Sequence, residues 1–80
     1  MKRAIVTGAG RGIGLAIAQR LAAEGWAVGV LDTNEADVKK AVADIPHSIA
    51  LVADISQPDS VNAALETFGE APHCLVNNAG

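Results

Sequence analysis

The sequence predicts an α/β fold in which parallel strands alternate with helices in a doubly wound sheet. Short apolar runs alternate with segments of helical periodicity along all 80 residues, and no repeat or linker interrupts them. Strands separated by helices pair in parallel through right-handed crossovers. We therefore expect the element order β-α-β-α-β-α-β. If the chain reverses direction after the third strand, the strand order is 3-2-1-4.

The first strand and the first helix come from residues 3–25. The run RAIVT, at 3–7, is short and partly β-branched, which is typical of a buried parallel strand. The helix begins near Gly12, and Gly25 ends it in a left-handed cap position. Its predicted apolar face consists of residues that recur every four positions, namely Ile13, Ile17 and Leu21.

The second strand and helix follow after a short gap. The run AVGVL, at 27–31, predicts another buried strand. Asn34 can cap the helix that comes next, and Pro46 stops it. The apolar positions of this helix follow the i, i+3, i+4, i+7 pattern, and they are Val38, Ala41, Val42 and Ile45.

The remaining elements are a strand, a helix and a short last strand. The run SIALVA, at 48–53, predicts the third strand. Ser56 can cap the third helix, with Asp59 three residues later in a capping-box-like role. The run CLV, at 74–76, begins the fourth strand. The apolar stripe of the third helix is formed by Val61, Leu65 and Phe68.

Composition and charge exclude several classes of partner. Half of the residues are hydrophobic and 19% are charged, which is typical of a globular core and not of a disordered chain. The net charge is −3 and the six basic residues are scattered, so nothing indicates a nucleic-acid or membrane partner. One cysteine allows neither an intrachain disulfide nor a cysteine zinc site, and no metal cluster is visible. Without a secretion signal, the expected location is cytoplasmic.

Four glycines fall at alternate positions in the segment TGAGRGIG, at 7–14, between the first strand and the first helix. Glycines at such a turn let backbone N–H groups approach a pyrophosphate, which the helix N-terminus also attracts. The spacing departs from Gly-x-Gly-x-x-Gly, because Ile13 stands where the third glycine would be. With Gly10 as an additional glycine, the pattern is Gly-x-x-x-Gly-x-Gly, formed by Gly8, Gly12 and Gly14. A tight turn that binds nothing is the alternative interpretation.

Two aspartates follow neighbouring strands of the predicted sheet. Asp32 ends the second strand, eighteen residues beyond Gly14, where a carboxylate can accept hydrogen bonds from an adenosine ribose. Asp54 ends the third strand in the same way. Because the carboxyl ends of parallel strands meet at one edge, we expect both aspartates to lie beside the glycine segment. A solvated turn aspartate that needs no ligand is the alternative for Asp32.

Four motifs together resemble the short-chain dehydrogenase/reductase family. They are TGAGRGIG at 7–14, LD at 31–32, ADI at 53–55 and NNAG at 77–80. The resemblance covers all 80 residues and implies a Rossmann-like fold. It also implies an oxidoreductase that interconverts an alcohol and a ketone by hydride transfer with a nicotinamide cofactor. The complete enzyme would act on a small-molecule substrate and form a homo-oligomer.

The resemblance also assigns roles to individual residues. It implies that Asp54 and Ile55 meet the adenine and that Asp32 binds both ribose hydroxyls. The glycine segment would line the pyrophosphate, and the NNAG segment would pass the ribose and support the sheet. The full set of expected cofactor-binding residues is Gly8, Gly10, Arg11, Gly12, Ile13, Gly14, Asp32, Asp54, Ile55, Asn77, Ala79 and Gly80. No residue is expected to bind a metal.

Charge at the second strand favours NAD over NADP. The 2′-phosphate of NADP would place about two negative charges beside Asp32, and the two groups would repel each other. Arg11 favours NADP instead, because a basic residue before the second motif glycine occurs in NADP-binding members of the family. Thr33 and Asn34 add no positive charge after Asp32. We therefore expect NAD.

The catalytic residues that the resemblance implies are a serine, a tyrosine, a lysine and a supporting asparagine, all in positions after the NNAG segment. The 80 residues contain no tyrosine, so this chain alone is expected to be catalytically inactive. We expect residues 1–80 to be the N-terminal dinucleotide-binding portion of one incomplete domain whose C-terminal half is missing. The alternatives are a self-standing adenine-nucleotide-binding module without turnover and a truncated fragment without function.

Overall fold

The computed structural model describes residues 2–69 and 72–78. Strands and helices alternate in the predicted order, which confirms the α/β fold class. The elements are β1 (Arg3–Thr7), α1 (Gly12–Ala23), β2 (Ala27–Asp32), α2 (Glu35–Asp44), β3 (Ser48–Val52), α3 (Pro58–Phe68) and β4 (Cys74–Val76). Strand β2 extends one residue beyond the predicted run and includes Asp32, whereas β3 ends at Val52, one residue early.

The four strands form one parallel sheet in the predicted order β3-β2-β1-β4. Val6 on β1 pairs with Val30 on β2 and with Val76 on β4. Because all the strands run in one direction, the chain leaves each of them at the same edge of the sheet. The predicted site residues follow these strand ends, so the topology brings them to one edge.

Helices cover both faces of the sheet, because successive side chains of a strand point to opposite faces. The face that packs against α1 and α2 is built on three fully buried valines, Val6, Val28 and Val30. The opposite face, which packs against α3, is built on Ile5, Leu31 and Leu51. Each of these side chains contributes roughly 1.5–3 kcal/mol by leaving water. The sheet is therefore doubly wound, as predicted.

Helix α1 contacts the sheet through smaller residues than predicted. Its buried residues are Gly14 and Ala18, while Ile17 and Leu21 pack at the margin of the core. Ile13, which the periodicity placed on the buried face, is 74% exposed. That prediction was wrong because glycine and alanine let the helix backbone approach the sheet closely, which leaves the large side chain of the first turn outside the contact.

Helix α2 begins with the predicted cap. The Oδ1 atom of Asn34 accepts a hydrogen bond from the Asp37 N–H at 3.0 Å. We expect Asn34→Ala to lower the free energy of unfolding by about 1 kcal/mol, because an N–H of the first turn loses its acceptor. Urea denaturation measures the loss. Asn62→Ala, at an exposed position inside α3, is the control and should not destabilise the protein, since alanine favours a helix interior.

Helix α3 begins later than predicted. It starts at Pro58, and its N-cap residue is Gln57, whose side chain makes no capping hydrogen bond. Ser56 is therefore not the cap; its hydroxyl donates to Asp54 Oδ1 at 2.7 Å. Proline is suited to the first helical position because its fixed φ matches the helix, and this moves the start of α3 downstream. The buried residues of α3 are Ala64 and Phe68, whereas Leu65 of the predicted stripe is 41% exposed.

None of the helices within the described residues has the length and apolar character that crossing a membrane requires.

Candidate functional site

The loop between β1 and α1 depends on glycine at two positions. Gly8 and Gly12 each have a φ of 63°, in the left-handed region that other residues rarely adopt. A Cβ atom added to Gly12 would meet nothing within 4 Å, so the space above this residue is open. The loop therefore leaves room for a ligand beside the first helical residue.

The N-terminus of α1 is suited to an anion. Arg11 is the N-cap residue, with an extended backbone at φ −165° and ψ 173°, and its side chain makes no capping hydrogen bond. The first turn contains no acidic residue. The first N–H groups of a helix have no partner inside the helix, and they carry a partial positive charge. A phosphate group fits these donors, and the Arg11 side chain is exposed beside them.

Gly14 packs closely against the loop. A Cβ atom added there would overlap the carbonyl oxygen of Gly8 and would lie 2.7 Å from Asn78 Nδ2. Gly14 is buried, and its packing holds the first turn of α1 against the end of β1. This close packing explains why the motif requires glycine here, although the φ of Gly14 is not positive.

Asp32 is attached to the glycine segment. Its Oδ2 atom accepts the Gly10 N–H at 3.0 Å, and its Oδ1 atom accepts the Thr33 N–H at 2.7 Å. Each carboxylate oxygen accepts more than one hydrogen bond, so acceptor capacity remains for hydroxyl groups of a ligand. The structure thus brings Gly10 and Asp32 together at the edge where the first two strands end.

Asp54 is held by its own turn. Its Oδ1 atom accepts the Ser56 N–H at 2.9 Å and the Ser56 hydroxyl at 2.7 Å, and Ser60 Oγ accepts the Asp54 N–H at 2.9 Å. The hydrogen bonds from the side chain and then the backbone of Ser56 lower the pKa of Asp54 from its ordinary value. The carboxylate is therefore ionised at neutral pH and acts as an acceptor.

An apolar pocket connects the Asp54 turn with the other strand ends. Ile55, which is 42% exposed, lines it together with Thr7, Leu31 and Asn77. The predicted adenine-binding residue Ile55 thus shares a surface with the ends of β1, β2 and β4. A flat and largely apolar base fits such a surface better than a charged group does.

Two further residues join the site, Thr7 and Asn78, which lie in the TGAGRGIG and NNAG motifs but are not among the expected cofactor-binding residues. The buried Thr7 hydroxyl donates to Val76 O at 3.2 Å and accepts the Asn78 N–H at 2.9 Å. Asn78 Nδ2 also donates to Gly8 O at 3.4 Å. Thr7 Oγ1 lies 3.4 Å from Oδ1 of the predicted Asn77. Their positions inside these two motifs are the signal that could have identified them.

Two predicted cofactor-binding residues, Ala79 and Gly80, lie outside the described residues. In the described part of the chain, no group of three or more His, Cys, Asp and Glu side chains could hold a metal ion. The described part of the site consists of a glycine loop, an uncapped helix N-terminus, the Thr7 hydroxyl at the end of β1, and acidic or amide side chains at the ends of the other three strands. Such a set of groups is suited to a phosphate-linked nucleotide.

The family model described as short chain dehydrogenase matches residues 2–80. The galactitol 2-dehydrogenase of Rhizobium johnstonii is 39% identical over 85 residues, which cover 99% of this chain and 33% of that protein. The short-chain reductase protein NovJ of Streptomyces niveus is 46% identical over 85 residues, covering 96% of this chain and 32% of NovJ. The chain thus spans about a third of the length of these relatives.

Solved structures with the same fold include complexes with either nicotinamide cofactor. The L-sorbose reductase of Gluconobacter frateurii, complexed with NADPH and L-sorbose, has a TM-score of 0.93 and 30% identity, covering 99% of this chain and 33% of that one. A 3-oxoacyl-[acyl-carrier protein] reductase of Brucella melitensis with bound NAD has a TM-score of 0.93 and 34% identity, covering 99% of this chain and 32% of that one. Because the family match spans almost the whole chain, this protein belongs to the short-chain dehydrogenase/reductase family of oxidoreductases.

Proposed function

We propose that residues 1–80 are the dinucleotide-binding portion of an oxidoreductase that interconverts an alcohol and a ketone, and that they bind the adenosine and pyrophosphate of NAD(H). A bound nicotinamide cofactor would supply the hydride acceptor for the alcohol in one direction and the hydride donor for the ketone in the other. The proposed contact residues are Gly8, Gly10, Arg11, Gly12, Ile13, Gly14, Asp32, Asp54, Ile55, Asn77, Ala79 and Gly80.

The observation that carries this proposal is the contact between Asp32 and the glycine segment. Asp32 Oδ2 accepts the Gly10 N–H at 3.0 Å. A carboxylate that can accept hydrogen bonds from the hydroxyl groups of a ligand therefore lies next to the loop that precedes the uncapped N-terminus of α1. A diphosphate attached to a ribose needs both groups in this neighbourhood. Of the three described helices, α1 is the one whose first turn has no acidic residue, so no side-chain anion competes there with a phosphate of a ligand.

Asp32 supports NAD as the preferred cofactor. A 2′-phosphate next to this carboxylate would cost more than about 1 kcal/mol, even where solvent partly screens the repulsion. The two residues after Asp32 are Thr33 and Asn34, which carry no positive charge. Arg11 is the cation of this loop that could offset the repulsion, and its exposed side chain is extensively screened by water.

Catalysis requires groups that these residues do not supply. The acid/base tyrosine that is typical of the family has no counterpart among the 80 residues, which contain no tyrosine. We therefore propose that this chain binds cofactor without turnover, and that a small-molecule substrate and assembly into a homo-oligomer belong to the complete enzyme. The proposal that the chain binds cofactor without turnover would be contradicted if the purified 80-residue chain oxidised an alcohol with NAD, measured as NADH absorbance.

Calorimetric titration of the chain with NAD and NADP tests the cofactor assignment. We expect tighter binding of NAD, and tighter binding of NADP would overturn the preference. Asp32→Ala should reduce the ratio of the NADP and NAD dissociation constants by about tenfold, since both the repulsion and the ribose acceptor are lost. Asp32→Asn is the matched variant: it removes the charge but keeps an acceptor oxygen, so it should retain more affinity for NAD than Asp32→Ala does.

A further inference from the structure

We propose that Gly10 is a positioning residue for cofactor choice, because its missing side chain lets the Asp32 carboxylate stay fixed where a 2′-phosphate would have to lie. This inference rests on the proposed nucleotide binding. Gly10 is the additional glycine of the TGAGRGIG segment, and its effect on Asp32 is a physical reason for glycine at this position.

The backbone of Gly10 does not itself require glycine. Unlike Gly8 and Gly12, Gly10 is not among the residues with a positive φ, so an L-amino acid could adopt its conformation. Space is the obstacle. An added Cβ atom would lie 2.9 Å from Asp32 Oδ2, 2.9 Å from Asp37 Cβ and 3.3 Å from Asp32 Cβ. An added side chain would therefore be too close to both aspartates, and it can be accommodated only by moving away from one of them and further into the other.

Asp37 is the less movable of the two neighbours. It lies in the first turn of α2, where its N–H donates to Asn34 Oδ1 at 3.0 Å, and the next residue, Val38, is fully buried. The atom in the way is the Cβ of Asp37, which cannot move without the helix backbone. The atom of Asp32 in the way is instead a terminal carboxylate oxygen. A methyl group at position 10 must therefore shift away from Asp37 and toward Asp32, and this shift displaces the Asp32 carboxylate.

The same methyl group weakens what holds that carboxylate. In the native chain, Oδ2 is held by the Gly10 N–H and Oδ1 by the Thr33 N–H at 2.7 Å. A carboxylate held at both oxygens cannot rotate away from a second anion, whereas one held at a single oxygen can. Repulsion falls with distance, so a mobile Asp32 discriminates less against a 2′-phosphate. Gly10 thus determines how strictly Asp32 excludes NADP.

A double-mutant cycle tests this inference on the full 80-residue chain. Dissociation constants for NAD and NADP are measured by calorimetry for the native chain, Gly10→Ala, Asp32→Ala and the double variant. We expect Gly10→Ala to reduce the NADP/NAD ratio of dissociation constants by about fivefold in the native background, less than Asp32→Ala does, because the displaced carboxylate keeps its charge. In the Asp32→Ala background the same change should leave the ratio within about twofold, because the residue through which Gly10 acts is gone.

Two further variants keep the test independent of folding. Gly25→Ala introduces strain at a φ of 93° with nothing within 4 Å of the added atom, far along α1 from the loop, and should leave the ratio unchanged. Asp37→Gly removes the second obstructing Cβ atom. Gly10→Ala added to Asp37→Gly should therefore change the ratio by less than about twofold, because the methyl group can shift into the space of the Asp37 side chain and away from Asp32 Oδ2.

The possible outcomes separate the two proposals. If the native chain binds neither NAD nor NADP, the proposed function fails and this inference fails with it. If the native chain prefers NAD but Gly10→Ala leaves the ratio unchanged, this inference alone is overturned. It is also overturned if Gly10→Ala lowers the ratio equally with and without Asp32, or equally with and without Asp37.

Discussion

Gly14→Ala is expected to lower the free energy of unfolding by about 3 kcal/mol and to abolish NAD binding. The added methyl group would overlap Gly8 O and would lie 2.7 Å from Asn78 Nδ2. Backbone atoms cannot move aside as a flexible side chain can, so overpacking here forces α1 away from the loop. The first-turn N–H groups, which are the proposed pyrophosphate donors, would move with the helix.

Urea denaturation and NAD titration of Gly14→Ala measure the two effects. Gly25→Ala is the matched control, because it places the same methyl group at a φ of 93° with open space around it. Left-handed strain should cost that control about 1–2 kcal/mol. At equal folded fraction, the control should bind NAD as the native chain does. Native affinity in Gly14→Ala would show that the close packing of α1 is not needed for the site.

Thr7→Val is expected to lower the free energy of unfolding by about 2 kcal/mol. Valine has nearly the shape of threonine, but it removes the hydroxyl that accepts the Asn78 N–H at 2.9 Å and donates to Val76 O at 3.2 Å. A buried polar group that loses its partner costs about 1–3 kcal/mol. Residues 77 and 78 would also lose their attachment to β1, so NAD affinity should fall.

Thr7→Ser is the control for that variant, since it keeps the hydroxyl and removes only the methyl group. Its stability should fall by about 0.8 kcal/mol, the contribution of one buried methyl-sized group. Amide hydrogen exchange at Asn78 provides a local measurement: we expect faster exchange in Thr7→Val and nearly native exchange in Thr7→Ser. Equal exchange rates in both variants would contradict the role of the hydroxyl.

The parts of this structure that follow from local chemistry could be predicted from the sequence. The parallel pairing follows from the alternation of strands and helices, and the strand order follows if the chain also reverses direction after the third strand. The cap at Asn34 follows from an amide side chain placed directly before a helical pattern. The prediction of a cap at Ser56 was wrong, because α3 begins only at Pro58 and the Ser56 hydroxyl instead donates to Asp54 in the turn before the helix. Periodicity also placed Ile13 wrongly on the buried face of α1, because periodicity reports the spacing of large side chains and not how closely the helix backbone approaches the sheet.

The contacts that close the site depend on residues far apart in the chain. Periodicity and capping rules describe neighbours in sequence, whereas the Asn78 N–H donates to a hydroxyl 71 positions earlier. The contact between Gly10 and Asp32 spans 22 positions. The motifs indicated that these segments would meet at the sheet edge, but the atoms that join them could be identified only from the folded chain.

The pairing of β1 with β4 also has a consequence for the order in which the ribosome produces the chain. β1 is the first strand to be synthesised, and its partner Val76 on β4 is synthesised 70 residues after Val6. At about 5–20 residues per second, the ribosome needs roughly 4–14 s to cover that distance. One edge of an apolar strand lacks its neighbour during this interval, so nascent chains would be vulnerable to pairing with one another.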